Sequence, residues 1–296
     1  MFIVRYKKWF IGFSAFLVLL GIISVGIHGF DYSVEFTGGS VLEVSYDETP
    51  AIDAVKTSLR DAGFEDTLVQ PFGEQGYVVR TKPITEAQRK ELVTAMQIGE
   101  ATPSIERFNS IGPSVGKQLK TKSLYALIAV SLGIVFFVAY AFRQVSKPVS
   151  SWKYGIVAVL ALLHDIIIPV GILTLLGTEV DTLYVVGLLS ILGLSVNDTI
   201  VVFDRIRENL KDNEEKNTKE PFTTTVGNAI NQTMIRSIFT SLTLVVVLFA
   251  LYFAGPAATK TLSLVLLLGT IVGTYSSIFL ASPLLTVLVS KKTKNS

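Results

Sequence analysis

Four ionisable residues fall inside long apolar runs of this sequence: His164, Asp165, Asp198 and Arg236. A charge at the centre of a bilayer costs on the order of 2.5–3.5 kcal/mol, so such residues usually pair within a helix bundle or line an ion pathway. Measured from the outer end of each run, Asp165 lies at about 18 Å, Asp198 at about 22 Å and Arg236 at about 25 Å. An Asp198–Arg236 pair across adjacent helices is therefore geometrically possible, and Asp165 joins it if its helix turns the correct face inward.

Two interpretations of these intramembrane charges remain open from their chemistry. In the first they form an ion relay, because a carboxylate paired with arginine stays ionised until its protonation releases the arginine and changes the helix packing. In the second the ion pair is static, and Arg236 extends its head group to the cytoplasmic interface. We prefer a relay of Asp198, Arg236 and Asp165. Its supporting residues are Asn197, His164 and Thr199. Since neighbouring helical residues point about 100° apart, His164 is equally well explained as a hydrogen-bonding group between helices.

The overall composition indicates a membrane protein. Of 296 residues, 50% are hydrophobic and 17% are charged, whereas a soluble domain has about 25% charged residues. The mean hydropathy is +0.53. These values argue against a soluble globular protein and a disordered chain. The formal net charge of +2 argues against a nucleic-acid-binding protein.

Enzyme and cofactor chemistry find no support in the sequence. The absence of cysteine excludes disulfides, thiol nucleophiles and cysteine-ligated metals. The phosphate-binding lysine loop, the H-E-x-x-H motif and the G-x-S-x-G motif are also absent. We therefore predict a protein that is not an enzyme, with no catalytic residue, no cofactor and no metal site. Its energy would come from an ion gradient, which supplies about 2.3 kcal/mol per charge per 100 mV.

Six segments are apolar over about 20 residues, the length that a helix needs to cross a membrane. The predicted spans are 10–27, 124–142, 154–176, 183–203, 234–253 and 262–289. The first has no small-residue cleavage site after it, so we interpret it as an uncleaved anchor. The last contains Pro283, which predicts a kink or an extension beyond the membrane. Small residues in the fourth and sixth spans predict close helix packing. They are Gly187, Gly193 and Ser195, and Gly269, Gly273 and Ser277.

Basic residues set the expected orientation. Lysine and arginine concentrate at the N-terminal end, in the loop 143–153, in the polar linker 204–221 and in the tail 291–296. The positive-inside rule therefore predicts that both termini are cytoplasmic. The predicted organisation is an N-terminus and first helix (1–29), an extracytoplasmic domain (30–121), a five-helix membrane region (122–290) and a cytoplasmic tail (291–296). The membrane region includes a cytoplasmic loop at 204–232.

The extracytoplasmic segment predicts a small α+β domain. Strand patterns, a hairpin signal around Gly73, and helices after Thr49 and Thr85 follow one another in the order βαββαβ. Thr85 and Gln88 form a capping-box pattern. This order is typical of the ferredoxin-like fold, which is compatible with many functions.

Two glycine-containing segments flank this domain. One contains Gly38 and Gly39, and the other, Gly112-Pro113-Ser114-Val115-Gly116, leads into the second span. The second segment is explained equally well as a hinge and as a plain connector.

Several of these segments together resemble the SecF members of the SecD/SecF family of bacterial protein-export membrane proteins. The most specific is the run SVNDTIVVFDRIREN at 195–209. Glu35-Phe36-Thr37-Gly38-Gly39 resembles the family's D-F-T-G-G motif, with Glu35 in place of the usual aspartate and Ser33 where glycine is common. The segment 111–116 resembles V-G-P-x-V-G. Further likenesses are the His164-Asp165 pair and Asn231-Gln232-Thr233 with Arg236.

The resemblance implies an accessory subunit of the Sec translocase in the bacterial inner membrane, related to RND-type transporters. It implies SecD as the partner, assistance to the SecYEG channel alongside the SecA ATPase and YajC, and contact with unfolded preprotein and membrane lipid but not with nucleic acid. It further implies coupling of export to a proton or sodium gradient, with roles for Asp198 and Arg236 in ion movement. Two alternatives stay open: a small-molecule exporter of RND type, and a scaffold subunit without coupling.

Overall fold

A computed structural model describes residues 2–73, 75–142, 150–218 and 220–290. The basic residues predicted to face the cytoplasm at 143–149, Lys219 and the tail 291–296 lie outside the described residues. The chain divides into two compact units, Tyr32–Leu124 and the remainder, Met1–Asp31 with Tyr125–Ser296.

The helices and strands follow in one order along the chain. They are α1 (Phe2–Arg5), α2 (Lys7–His28), α3 (Val34–Thr37), β1 (Gly39–Ser45), α4 (Ile52–Asp61), β2 (Leu68–Phe72), β3 (Gly76–Thr81), α5 (Glu86–Ala95), β4 (Ser104–Ile111), α6 (Pro113–Ala141), α7 (Ser151–Leu175), α8 (Thr182–Glu215), α9 (Phe222–Ala254), α10 (Lys260–Ser276) and α11 (Ser282–Ser290). A π-helical turn, Ser277–Ala281, joins α10 to α11.

Within the described residues, six helical segments are long and apolar enough to cross a membrane, which confirms the six predicted spans. They are Lys7–His28, Pro113–Ala141, Trp152–Leu175, Thr182–Glu215, Phe222–Ala254 and Lys260–Leu288. The protein is therefore mostly helical and membrane-embedded.

The fourth span extends well beyond its apolar part. The polar segment after Asp204 was expected as a solvated loop, but α8 continues to Glu215 and α9 begins at Phe222. Opposite charges three or four residues apart stabilise such an extension by about 0.2–0.5 kcal/mol per pair. The pairs are Asp204–Arg207, Arg205–Glu208, Lys211–Glu215 and Asp212–Lys216. The mixed charges of this linker are thus spaced for a helix.

Glycines allow close helix contacts in the membrane unit, between the fourth and sixth spans as predicted and also between the first and third. A Cβ on Gly171 of α7 would lie 2.4 Å from the Cα atom of Gly21 in α2, so these two helices meet backbone to backbone. Between α8 and α10, a Cβ on Gly269 would lie 2.2 Å from Ile191, and one on Gly273 would lie 3.1 Å from the Cβ of Ser195. Gly193 does not take part, because nothing lies within 4 Å of its Cβ position.

The first and last spans also touch each other. The rings of Phe10 and Phe279 lie 4.9 Å apart, and the Lys7 Nζ donates to the Thr286 Oγ1 at 3.0 Å. The last span changes from α10 to α11 through the π turn just before Pro283. Proline has no N–H to continue the α-helical ladder, which accounts for an irregularity at this point.

The smaller unit holds a four-stranded antiparallel sheet in the order β2-β3-β1-β4, with the predicted element order βαββαβ. Side chains from one sheet face and from α4 and α5 form its core, among them Leu42, Val55, Val79 and Leu92, each at most 1% exposed. The hydroxyl of Tyr46 donates to the Met96 carbonyl at 2.9 Å within this core.

Local details of this unit differ from the prediction at two helices. The capping box of Thr85 and Gln88 is present, but α4 starts at Ile52 with Ala51 as its N-cap, not at Thr49-Pro50. The short helix α3 precedes β1 and was not predicted. Its N-cap is Ser33, whose Oγ accepts from the Glu35 amide at 3.2 Å.

Candidate intramembrane ion site

Asp165 lies at the centre of a fully buried polar cluster, with an exposed fraction of 0%. Its Oδ2 accepts hydrogen bonds from the Ser276 Oγ of α10 at 2.7 Å and from the Ser195 Oγ of α8. The Oδ1 lies 2.8 Å from the Nδ1 of His164. Helix α7 therefore turns Asp165 inward, the condition under which it could join a relay.

His164 belongs to the same cluster, since its ring bends back onto the neighbouring carboxylate. The side chain is 2% exposed, and its Nε2 is buried without a hydrogen-bond partner among the described residues. The ring stacks on Tyr275 at a centroid distance of 6.1 Å, and the Tyr275 hydroxyl accepts from the Ser14 Oγ at 3.3 Å. The expectation of a bond from His164 to another helix is wrong for Nδ1, which faces Asp165.

Asp198 occupies a different position on α8. It is partly buried, and its Oδ2 accepts from the Ser241 Oγ of α9 at 3.1 Å. A cavity of about 110 Å³ adjoins it between α8, α9 and α10. The polar side chains that line this cavity include Ser195, Asn197, Asp198, Thr240, Ser241 and Thr270. The Thr270 Oγ1 is buried and has no partner among the described residues. A carboxylate beside several hydroxyl groups can exchange a proton or bind a small cation.

Arg236 is not paired with Asp198. Its side chain is exposed, and the ion pairs of the described residues do not include it. Ser241, which contacts Asp198, follows Arg236 by five residues on α9, and five residues correspond to a rotation of roughly 140° around a helix. The Asp198–Arg236 pair that the depths allowed is therefore absent from this single chain.

The supporting residues Asn197 and Thr199 lie in two different surroundings on α8. Asn197 is exposed and borders the cavity beside Asp198. Thr199 is buried, with its Oγ1 at 2.9 Å from the Ser277 Oγ at the start of the π turn. Ser195, Asp198 and Thr199 are spaced i, i+3 and i+4, so one face of α8 carries all three.

The two glycine segments meet in the smaller unit. Gly38 has a φ of +79°, and a Cβ at this position would lie 2.6 Å from the Cα of Pro113. A Cβ on Gly116 would lie 2.9 Å from the Gly38 nitrogen and 3.0 Å from the Phe36 oxygen. Gly39 has a φ of +139° and leads into β1. Gly112 accepts from the Val115 and Gly116 amides, at the start of α6. The turn after α3 is thus packed tightly against the start of α6.

Three hydroxyl residues of the site were missed as hydrogen-bonding groups: Ser195, Ser276 and Ser241. The sequence indicated Ser195 only as a small residue that allows close helix packing. A serine inside an apolar helix is a weak signal by itself, because its hydroxyl commonly bonds to its own helix. Metal-binding clusters of three or more His, Cys, Asp or Glu residues do not occur within the described part of the chain.

Two protein-family models match this chain. The model described as "Protein export membrane protein SecD/SecF, C-terminal" matches residues 91–291, which include all four intramembrane ionisable residues. The model described as "SecD/SecF GG Motif" matches residues 23–50, which include Gly38 and Gly39.

Curated relatives match over nearly the whole chain. The protein translocase subunit SecF of Thermobaculum terrenum is 37% identical over 301 residues, covering 96% of this chain and 92% of the relative. The protein of the same name from Escherichia coli O157:H7 is 34% identical over 295 residues, covering 97% and 88%.

Solved structures of SecDF have the same fold. The crystal structure of SecDF from Thermus thermophilus, a translocon-associated membrane protein, matches with a TM-score of 0.81 at 30% identity. SecDF in a super-membrane-facing form matches with a TM-score of 0.70 at 28% identity. Both matches cover 99% of this chain but only 38% and 39% of the SecDF chains.

Proposed function

The chain belongs to the SecD/SecF family of protein-export membrane proteins, and from this membership we propose that it couples a proton or sodium gradient to late steps of preprotein export. It would act as an accessory subunit of the bacterial Sec translocase. The observation that carries the coupling is Asp198, a carboxylate inside a membrane-spanning helix beside a cavity of about 110 Å³ that several hydroxyl side chains line. Asp165 contributes a second carboxylate, which three side chains hold in place.

We propose a SecD-like chain as the direct partner. In the apolar, membrane-crossing stretches of α6 and α9, only 6% and 17% of the residues are buried within this chain. Arg236 lies on the exposed surface of α9, where lipid cannot satisfy a guanidinium at membrane depth. A partner helix that presents polar or acidic groups would satisfy it, so Arg236 would act in the relay from the subunit interface. Membrane lipid covers the remaining apolar surface.

The remaining partners follow from family membership. We propose that the assembly assists SecYEG together with SecA and YajC, and that the ferredoxin-like domain contacts emerging preprotein outside the cytoplasmic membrane. The names of the relatives as translocase subunits support protein export over export of small molecules. An experiment is needed to distinguish this coupled function from a scaffold role without coupling to the gradient.

Reconstituted export tests the proposed function. Vesicles that contain SecYEG, SecA and the SecD-like partner would be compared with and without this chain, with a gradient imposed after ATP-driven translocation has begun. We expect the gradient to accelerate completion of export only when the chain is present. Equal acceleration in both vesicle types would contradict the proposal, and a chain that raises export equally with and without a gradient would be a scaffold.

The proposed orientation can be tested because the chain has no natural cysteine. Asp47 in the smaller unit and Glu214 near the end of α8 are both exposed acidic residues. We expect a membrane-impermeant thiol reagent to label Asp47→Cys in intact cells, and to label Glu214→Cys only after the membrane is opened. Labelling of Glu214→Cys from outside would reverse the proposed topology.

A further inference from the structure

Ser195 stands between the two carboxylates of the membrane unit. Its Oγ donates to the Oδ2 of Asp165, and the same residue lines the cavity beside Asp198. The side chain is 4% exposed, so it belongs to the helix interface and not to the lipid-facing surface. The residue is therefore in contact with both polar regions of the site.

On the Asp165 side, the contacts that begin at Ser195 end at the imidazole of His164, a group that can accept a proton. The Nδ1 of His164 faces Asp165, whereas its Nε2 is buried and unpartnered among the described residues. A buried imidazole nitrogen without a partner is costly in a static core, because buried polar groups are normally hydrogen-bonded. The Asp165–His164 pair is therefore the buried end of the connection.

The Asp198 end opens to a space that water can occupy. A cavity of about 110 Å³ with hydroxyl, amide and carboxylate groups on its walls has room and partners for ordered water. Thr270 also lines this space, and its Oγ1 has no hydrogen-bond partner among the described residues.

We propose that Ser195 carries protons between the Asp198 cavity and the Asp165–His164 pair, an inference that rests on the proposed function. In each transfer the Ser195 hydroxyl gives its hydrogen to Oδ2 of Asp165 and accepts on Oγ a proton that the Asp198 carboxyl group releases, either directly or through a cavity water that is itself reprotonated by Asp198. The hydroxyl is restored, and one proton has moved from the cavity to the buried carboxyl group. Return of the proton follows the same bonds in reverse.

Ser276 provides a matched comparison. Its hydroxyl donates to the same Asp165 oxygen as that of Ser195, and both side chains are buried, with exposed fractions of 0% and 4%. It does not line the cavity beside Asp198. Loss of either hydroxyl removes one hydrogen bond from Asp165, but only loss of Ser195 separates Asp165 from the cavity.

The test compares Ser195→Ala with Ser276→Ala in the complex with the SecD-like partner. Proton influx into proteoliposomes would be followed with an enclosed pH dye, and gradient-stimulated export would be measured in parallel. We expect Ser195→Ala to reduce both by about a hundredfold or more, because proton transfer by a positioned side chain typically accelerates a reaction by about 10²–10⁴-fold. Ser276→Ala should lose as much thermal stability as Ser195→Ala but much less flux. Ser190→Ala, whose hydroxyl bonds its own helix at Val186, should match the unmodified complex.

Each contrary outcome has a defined meaning. Equal flux loss in Ser195→Ala and Ser276→Ala would show a structural role and overturn the proposal, as would normal flux in Ser195→Ala. Export driven by sodium without proton influx would also overturn it while leaving the proposed function intact. Normal gradient-stimulated export by Asp198→Asn would instead contradict the proposed function itself.

A spectroscopic variant tests the contact independently of activity. Ser195→Cys places a single thiol in a chain that has none, so with a cysteine-free partner its S–H stretching band is unique. We expect this band to shift when Asp165→Asn is added, and we expect Ser195→Cys to retain more proton flux than Ser195→Ala. An S–H band that does not shift when Asp165→Asn is added would overturn the proposed hydrogen-bonded connection.

Discussion

Asp198→Asn is expected to lower the gradient-stimulated part of export by about a hundredfold or more while leaving the complex assembled. An amide cannot take up and release a proton at neutral pH, so the exchange with the cavity stops. The side chain keeps its size, and its carbonyl oxygen can still accept from Ser241, so packing against α9 is preserved. The measurement is export into vesicles with and without an imposed gradient, normalised to the amount of assembled complex.

Glu214→Gln is the matched control for this substitution. It makes the same carboxylate-to-amide change on the same helix, at an exposed position near the C-terminal end of α8. We expect it to leave gradient stimulation unchanged. If Asp198→Asn and Arg236→Ala alter only the yield of complex and not the response to the gradient, the chain is a scaffold and the relay is wrong.

Gly38→Ala is expected to destabilise the smaller unit by roughly 2–5 kcal/mol. A side chain at a φ of +79° is strained, and the new Cβ would lie 2.6 Å from the Pro113 Cα, a backbone atom that cannot turn aside. The turn after α3 and the start of α6 would have to separate. Hydrogen–deuterium exchange of the full chain in detergent measures this as faster exchange in β1 and in the first turns of α6.

Gly63→Ala separates the two causes. Gly63 has a φ of +86°, but nothing lies within 4 Å of its Cβ position. The variant therefore carries the backbone strain, about 1–2 kcal/mol, without the collision. If Gly63→Ala and Gly38→Ala raise exchange equally, each in its own neighbourhood, the close approach of the two glycine segments does not contribute to stability.

The sequence was sufficient for the six spans and for the order of strands and helices, because both depend on patterns that repeat along the chain. An apolar run of about 20 residues matches the thickness of the hydrocarbon core, so it is strongly indicative of a membrane-crossing helix. The capping box at Thr85 was predictable because it depends on residues three positions apart. Local patterns of this kind need no knowledge of tertiary contacts.

Rotation of the spans about their own axes could not be predicted. Helix α7 is apolar on all sides, so nothing in its pattern showed that Asp165 faces inward toward Ser195 and Ser276. The depths allowed an Asp198–Arg236 pair, but depth along a helix carries no information about direction around it, and the two side chains do not pair within this chain. The residue that replaces the arginine as the contact of Asp198 is Ser241, one of many hydroxyl residues on α9.

The polar extension of α8 shows a different limit. A linker of mixed charge predicts a solvated loop by composition, but its opposite charges recur at helical spacing. Testing the spacing as well as the composition would have extended the predicted helix beyond Asp204. The start of α4 was predicted two residues too early, because Thr49 and Pro50 are also residues that commonly begin a helix.

The contacts of α2 have a consequence for the order of biosynthesis. This helix meets α7 at Gly21 and Gly171, and it meets the last span at Phe10 and Phe279. A ribosome makes α2 before either neighbour. The smaller unit and one further span, α6, are made before α7, and four further spans, α6 to α9, are made before the last one. The bundle can close only when the final span arrives, which makes completion of the polar cluster around Asp165 the last step in assembling the membrane unit. A nascent chain that is interrupted before α10 would therefore lack Ser276 and leave the buried carboxylate incompletely satisfied.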